Sequence, residues 1–245
     1  MQVFLNRVDG IDDAIMSMFF SKRTMNRELE QHIRQVCREN QDLTCEHSGV
    51  LGALKDELTI EMNDWLNKVF KWGKSHITML RFLDLSFTVY GLHRGGQDDL
   101  DSHAKRMENR IIRASTRLGS FEGGEMSEYY EGKIIPTDVA LAHLGITTPD
   151  EIEYEGQTYV RGVNGYILKG MENQNDVKRG LYMLSIPSDF IFRINLTEFA
   201  HVYKERNSKG TAHPELKTAV EEMFEQAYDA TNGFVNHDLL MAIKN

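Results

Sequence analysis

Cysteine is scarce in this chain. Cys37 and Cys45 are the only two in 245 residues, and their spacing matches no zinc or redox motif. They read as reduced thiols, which argues for a cytoplasmic protein without disulfides. Proline is rarer than average, with four residues, so few segments are barred from regular structure. No apolar run approaches a membrane span, and the N-terminal MQVFLNRVDG has no basic-then-apolar leader pattern. Positive charge is in deficit: the net charge is −9, which sets the molecule as a whole against gripping a nucleic acid. Chemical fingerprints are missing too. There is no G-x-G-x-x-G after a strand, no G-x-x-x-x-G-K-[ST], no H-E-x-x-H and no G-x-S-x-G. The nine histidines read as polar or hydrogen-bonding residues, and no metal site is expected.

What is present is ordinary for a globular domain: 41% hydrophobic and 27% charged residues. Helical periodicity is strongest at Leu51–Lys74, with Leu51, Leu54, Leu58, Met62, Leu66 and Phe70 on one face. Helices are also expected at Asp12–Phe20, Asn26–Asn40, Thr137–Leu144, Asn173–Leu184, Thr197–Arg206 and Glu215–Ala230. Strand alternation marks Gln2–Leu5, Leu83–Leu92 and Phe190–Leu196. Between Ile152 and Leu168 the pieces EIEYEG, QTYVRG and GYILKG alternate between glycine and asparagine turns. Gly91 and Gly95–Gly96 read as breaks in the chain ahead of the arginine segment, and Gly119–Ile135 reads as irregular. No repeat or linker divides the chain, so residues 1–245 form one α+β domain.

One stretch runs against the acidic background. Read as a helix, Asp98–Leu118 places Arg106, Arg110, Arg113 and Arg117 on a single stripe at i, i+4, i+7 and i+11. Asp98, Asp99 and Asp101 then stand at its N-terminal end, where acids are favoured. Aligned cations repel, so either carboxylates of the fold or a bound anion must face them. Ser115 beside Arg117 suits a phosphate, because a hydroxyl and a guanidinium fork donate together.

The order of four stretches resembles the flavin-dependent thymidylate synthases. HITMLRFLDLSFTVYGLHR (76–94) is similar to that family's H-[GS]-[ST]…F-T-F-x-[IV] strand. The arginine segment occupies the place of its R-H-R-x-x-S-x-N-E-x-S-x-R signature. KRGLYMLSIPSDFIFRINL (178–196) resembles A-R-x-x-L-P followed by a strand ending at Asn. NLTEFAHVYKERNSKGTAHPEL (195–216) resembles N-x-R-x-x-x-[NH]-F-x-x-x-R…A-Q-x-E-I. Aligned without a gap, R-H-R becomes Ser102, His103 and Ala104, Arg110 replaces the signature Glu, and Thr197 stands where the family has Arg. Residues 125–170 look like an insertion.

The resemblance implies a central mixed or antiparallel sheet flanked by long helices. It implies methylation of dUMP to dTMP with FAD, methylenetetrahydrofolate and NADPH, on sites shared within a homotetramer. Carried over residue by residue, Ser115, Arg117, Arg179 and Arg206 would bind dUMP. His76, Thr78, His103, Asn109, Asn195 and His201 would contact FAD. The alternatives are a nucleotide-binding relative without catalysis, a flavin enzyme modifying another deoxyuridylate, and, on the arginine stripe alone, a nucleic-acid binder.

Overall fold

The computed structural model describes residues 1–21, 23–39, 77–101, 110–115, 126–207, 213–231, 233 and 235–243. The expected helix Leu51–Lys74 lies outside these residues.

The centre is a four-stranded antiparallel sheet in the order β1-β2-β7-β3. Its strands are β1 (Gln2–Asp9), β2 (Asp84–His93), β3 (Arg110–Arg113) and β7 (Pro187–Asn195). Alternation explains it. Leu85, Phe87 and Val89 of β2 and Phe190, Phe192 and Ile194 of β7 all point inward and are buried. Helix α7 (Leu196–Asn207) and helix α8 (Pro214–Ala230) cover this face. Phe87 stacks on Phe199, and Leu216, Ala219, Val220 and Met223 complete the core. Helices α1 (Ile11–Ser21) and α2 (Arg27–Glu39) flank it, and α3 (Ile77–Leu80) leads into β2. Gly10, at φ +78°, is required where β1 turns into α1, because a Cβ there would overlap the Phe82 carbonyl.

Helix α4 (Arg94–Asp101) follows β2 directly. Beyond β3 come a 3-10 turn at Glu128–Tyr130 and helix α5 (Thr137–His143), which Pro136 precedes. A separate three-stranded meander follows: β4 (Glu151–Tyr154), β5 (Gln157–Gly162) and β6 (Gly165–Leu168), as the glycine-punctuated alternation indicates. Helix α6 (Asn175–Lys178) and a 3-10 turn (Arg179–Leu181) return the chain to β7, and α9 (His237–Ala242) closes it. Among the described residues no helix is long and apolar enough to cross a membrane.

Three expectations are corrected. The arginine helix is not continuous: Arg110–Arg113 is a strand, paired with β7 from Arg110↔Arg193 to Arg113↔Phe190. The segment R-I-I-R fits both periods. Two adjacent β-branched residues and the open edge of β7 favour the ladder. Asp98, Asp99 and Asp101 consequently end α4 rather than begin a helix. The expected helix Asn173–Leu184 shrinks to Asn175–Lys178 and a 3-10 turn, consistent with the glycine at 180. Finally, Gly95 and Gly96 do not break the chain but lie inside α4. Gly96 lets the helix pass the His93 ring, since a Cβ would come within 2.6 Å of Cε1.

Candidate functional site

Helix α4 ends in three carboxylates, the wrong charge for a helix C-terminus. Cations from two distant elements meet this end of the helix. The Arg113 guanidinium on β3 donates to Asp98 Oδ1 at 2.6 Å and also to Asp101 Oδ2. Arg94 Nε adds a 3.4 Å ion pair to Asp98. From the far end of α7, Arg206 Nη2 donates to the Asp99 backbone carbonyl at 2.6 Å. For Arg113, therefore, the facing anions are carboxylates of the same fold. Arg113→Ala should lower the unfolding free energy by about 1–2 kcal/mol in urea denaturation, between the limits for exposed and buried pairs. A change under a few tenths would show that α4 tolerates its acids unaided.

Arg206 is different. Its Nε is buried and has no hydrogen-bond partner among the described residues, and neither has the neighbouring Asn207 Oδ1. A buried donor and acceptor left open at one helix end are unfavourable unless something completes them.

A second cluster joins the end of β2 to the start of α8. His93, Glu215 and Ser127 are buried. His93 Nδ1 donates to Glu215 Oε2 in a short contact, and Ser127 Oγ donates to the same oxygen at 3.2 Å. His213 caps α8, with Nδ1 accepting from the Glu215 N–H at 3.3 Å and Pro214 at the first helical position. In neutral His213 the hydrogen is then on Nε2, 3.1 Å from the Tyr130 hydroxyl. The His93 and His213 rings lie 4.0 Å apart between centroids. Burial alone would raise the Glu215 carboxyl, but hydrogen bonds and charge from His93 hold it below the usual carboxylate range. Burial, then the adjacent His93, lower His213. Burial, then the Glu215 charge, raise the Tyr130 phenol.

The described ones among the expected site residues lie on several elements. Ser115 follows β3 by two residues and is exposed, and Arg206 ends α7. Their elements meet at α4 through Arg113 and Arg206. Asn195 is buried at the end of β7. Its Oδ1 accepts from Thr197 Oγ1 at 2.6 Å and from Glu198 N at 3.0 Å, so the carboxamide oxygen caps α7. His201 is half-buried on α7. The Arg179 backbone lies in the 3-10 turn before β7 and the Thr78 backbone in α3, while both side chains fall outside the described part. His76, His103, Asn109 and Arg117 lie outside the described residues. No sequence motif joins His93, His213 and Glu215 as a group. H-P-E before a helical run was a visible cap signal, but nothing local links it to His93.

An antiparallel sheet in the order β1-β2-β7-β3, with α7 and α8 on its inner face and a meander beside it, defines an α+β chain of the flavin-dependent thymidylate synthase fold. The chain is similar to flavin-dependent thymidylate synthase ThyX from Helicobacter pylori, complexed with FAD and dUMP. The TM-score is 0.55 at 13% identity, covering 94% of this chain and 97% of that one. A second structure of the Helicobacter pylori enzyme with FAD and dUMP gives 0.53 at 15% identity, covering 98% and 99%. The UMP/dUMP methylase PolB from Streptomyces cacaoi, bound with 5-Br UMP, gives 0.50 at 9% identity, covering 96% and 93%. No protein-family model and no curated protein sequence matches the chain.

Proposed function

We propose that the chain is a flavin-dependent enzyme that methylates dUMP to dTMP, with methylenetetrahydrofolate as carbon donor and NADPH as reductant. The observation that carries this is the shared fold over nearly the full length of two structures that hold FAD and dUMP. The open Arg206 N–H and Asn207 carbonyl oxygen at the end of α7 fit a nucleotide, which offers both acceptors and donors. Bound FAD would supply the hydride chemistry. The chain's own part is to hold and orient the pyrimidine nucleotide, with Ser115, Arg117, Arg179 and Arg206 on dUMP. His76, Thr78, His103, Asn109, Asn195 and His201 would face the flavin. A doubly charged phosphate suits guanidinium forks.

A second reading is a nucleotide-binding relative without flavin chemistry. Ser102, His103 and Ala104 at the place of the family's R-H-R favour it. The visible spectrum separates the two. The first requires a yellow protein, as purified or after adding FAD, that bleaches with NADPH. A colourless chain whose melting temperature rises with dUMP supports the second. Neither colour nor stabilisation by dUMP or UMP would sink both.

The same reading includes a homotetramer with shared sites. The outer face of the sheet supports association. Phe4, Thr88, Ile191 and Ile112 form one row across all four strands, and Phe4, Ile191 and Ile112 are 48%, 52% and 77% exposed. Tyr90 packs edge-on against Phe4. An apolar row of this kind marks an interaction surface. Ile191→Asp, at its middle, is expected to shift the mass measured by light scattering to a smaller species. An unchanged mass would remove this face from the assembly.

A further inference from the structure

The histidine–glutamate cluster has a composition that the nucleotide reading does not use. His93, His213 and Glu215 each offer a ligand atom, and the three atoms lie within 4.8 Å of one another. They come from the end of β2 and from the cap and first turn of α8, which the surrounding core holds in place. We propose that these three residues form a site for a divalent transition-metal ion, zinc by preference, with the fourth position left to water.

The donor set selects the ion. Two imidazoles and one carboxylate suit zinc and its first-row neighbours, whereas magnesium and calcium take oxygen ligands. Ligands about 2.0–2.1 Å from a tetrahedral ion sit close to one another, as the three ligand atoms do here. Groups that orient the ligands are already in place. Ser127 Oγ donates to the Glu215 carboxylate, and the Tyr130 hydroxyl bonds His213. Metal uptake would displace the proton that His93 Nδ1 donates to Glu215, and at His213 it would take the Nδ1 lone pair that now accepts from the Glu215 N–H.

The competing account is metal-free: a proton-bridged His93–Glu215 pair, with His213 serving only as the helix cap. The two accounts part on metal uptake. The untagged full chain, stripped with a chelator and freed of it, is titrated with zinc sulfate against a chromophoric competitor. The expected result is one zinc per chain, retained through gel filtration, and a four-coordinate visible spectrum when cobalt(II) replaces zinc. In His213→Ala, with folding checked by circular dichroism, zinc affinity should fall at least ~100-fold, the upper end of what losing even an outer-shell partner does. No retained zinc in the parent, or equal affinity in the variant, overturns the proposal. If the variant fails to fold, the cobalt spectrum of the parent decides: absence of four-coordinate bands overturns it. No flavin or nucleotide enters the assay, so its outcome is independent of the proposed reaction.

Discussion

Glu215→Ala is expected to lower the unfolding free energy by about 3–5 kcal/mol, the range for removing one partner of a buried pair. The Glu215 carboxylate accepts from His93 Nδ1 and Ser127 Oγ, and all three residues are buried. Alanine would strand the imidazole and the hydroxyl together, away from water, and would leave a cavity beside the start of α8. Glu215→Gln keeps the shape and one acceptor oxygen, so it should be milder. Urea denaturation in buffer containing a chelator measures both, with metal effects removed. If the His93–Glu215 contact is the source, the double variant with His93→Ala should be less destabilised than the sum of the two single changes. A loss below about 1 kcal/mol for Glu215→Ala, the value of an exposed pair, would mean that solvent reaches the cluster.

Arg179→Ala is expected to weaken dUMP binding by about 1.5–3 kcal/mol, the scale of a hydrogen bond to a charged group. That is roughly 10–150-fold in dissociation constant. Isothermal titration of dUMP into parent and variant measures it. Arg206→Ala should also weaken dUMP, and in addition it removes the donor to the Asp99 carbonyl. Its stability in the absence of ligand must therefore be measured beside its affinity. An Arg179→Ala protein that binds dUMP as the parent does would take Arg179 out of the site, and with it part of the resemblance at 178–196.

Where local pattern and tertiary environment agreed, the chain was readable in advance. The alternation of Leu85, Phe87 and Val89 could bury one face only as a strand, and β2 lies there. The helical run Glu215–Ala230 marked α8, and glycine turns marked the 152–168 meander. The resemblance at 76–94 and 178–216 pointed to the fold that the structural neighbours share. The sequence by itself thus determined the buried faces of β2 and β7 and most of the described elements, because burial imposes a period on the chain. Tertiary structure decided the rest. R-I-I-R fits a helical stripe as well as a strand, and the free edge of β7 completed the bias of its two isoleucines toward the strand, which turned Arg113 onto the acids of α4. Likewise His93 and Glu215 stand 122 positions apart. Nothing local to either residue specifies the other, since their pairing exists only once the sheet has placed the end of β2 against the first turn of α8.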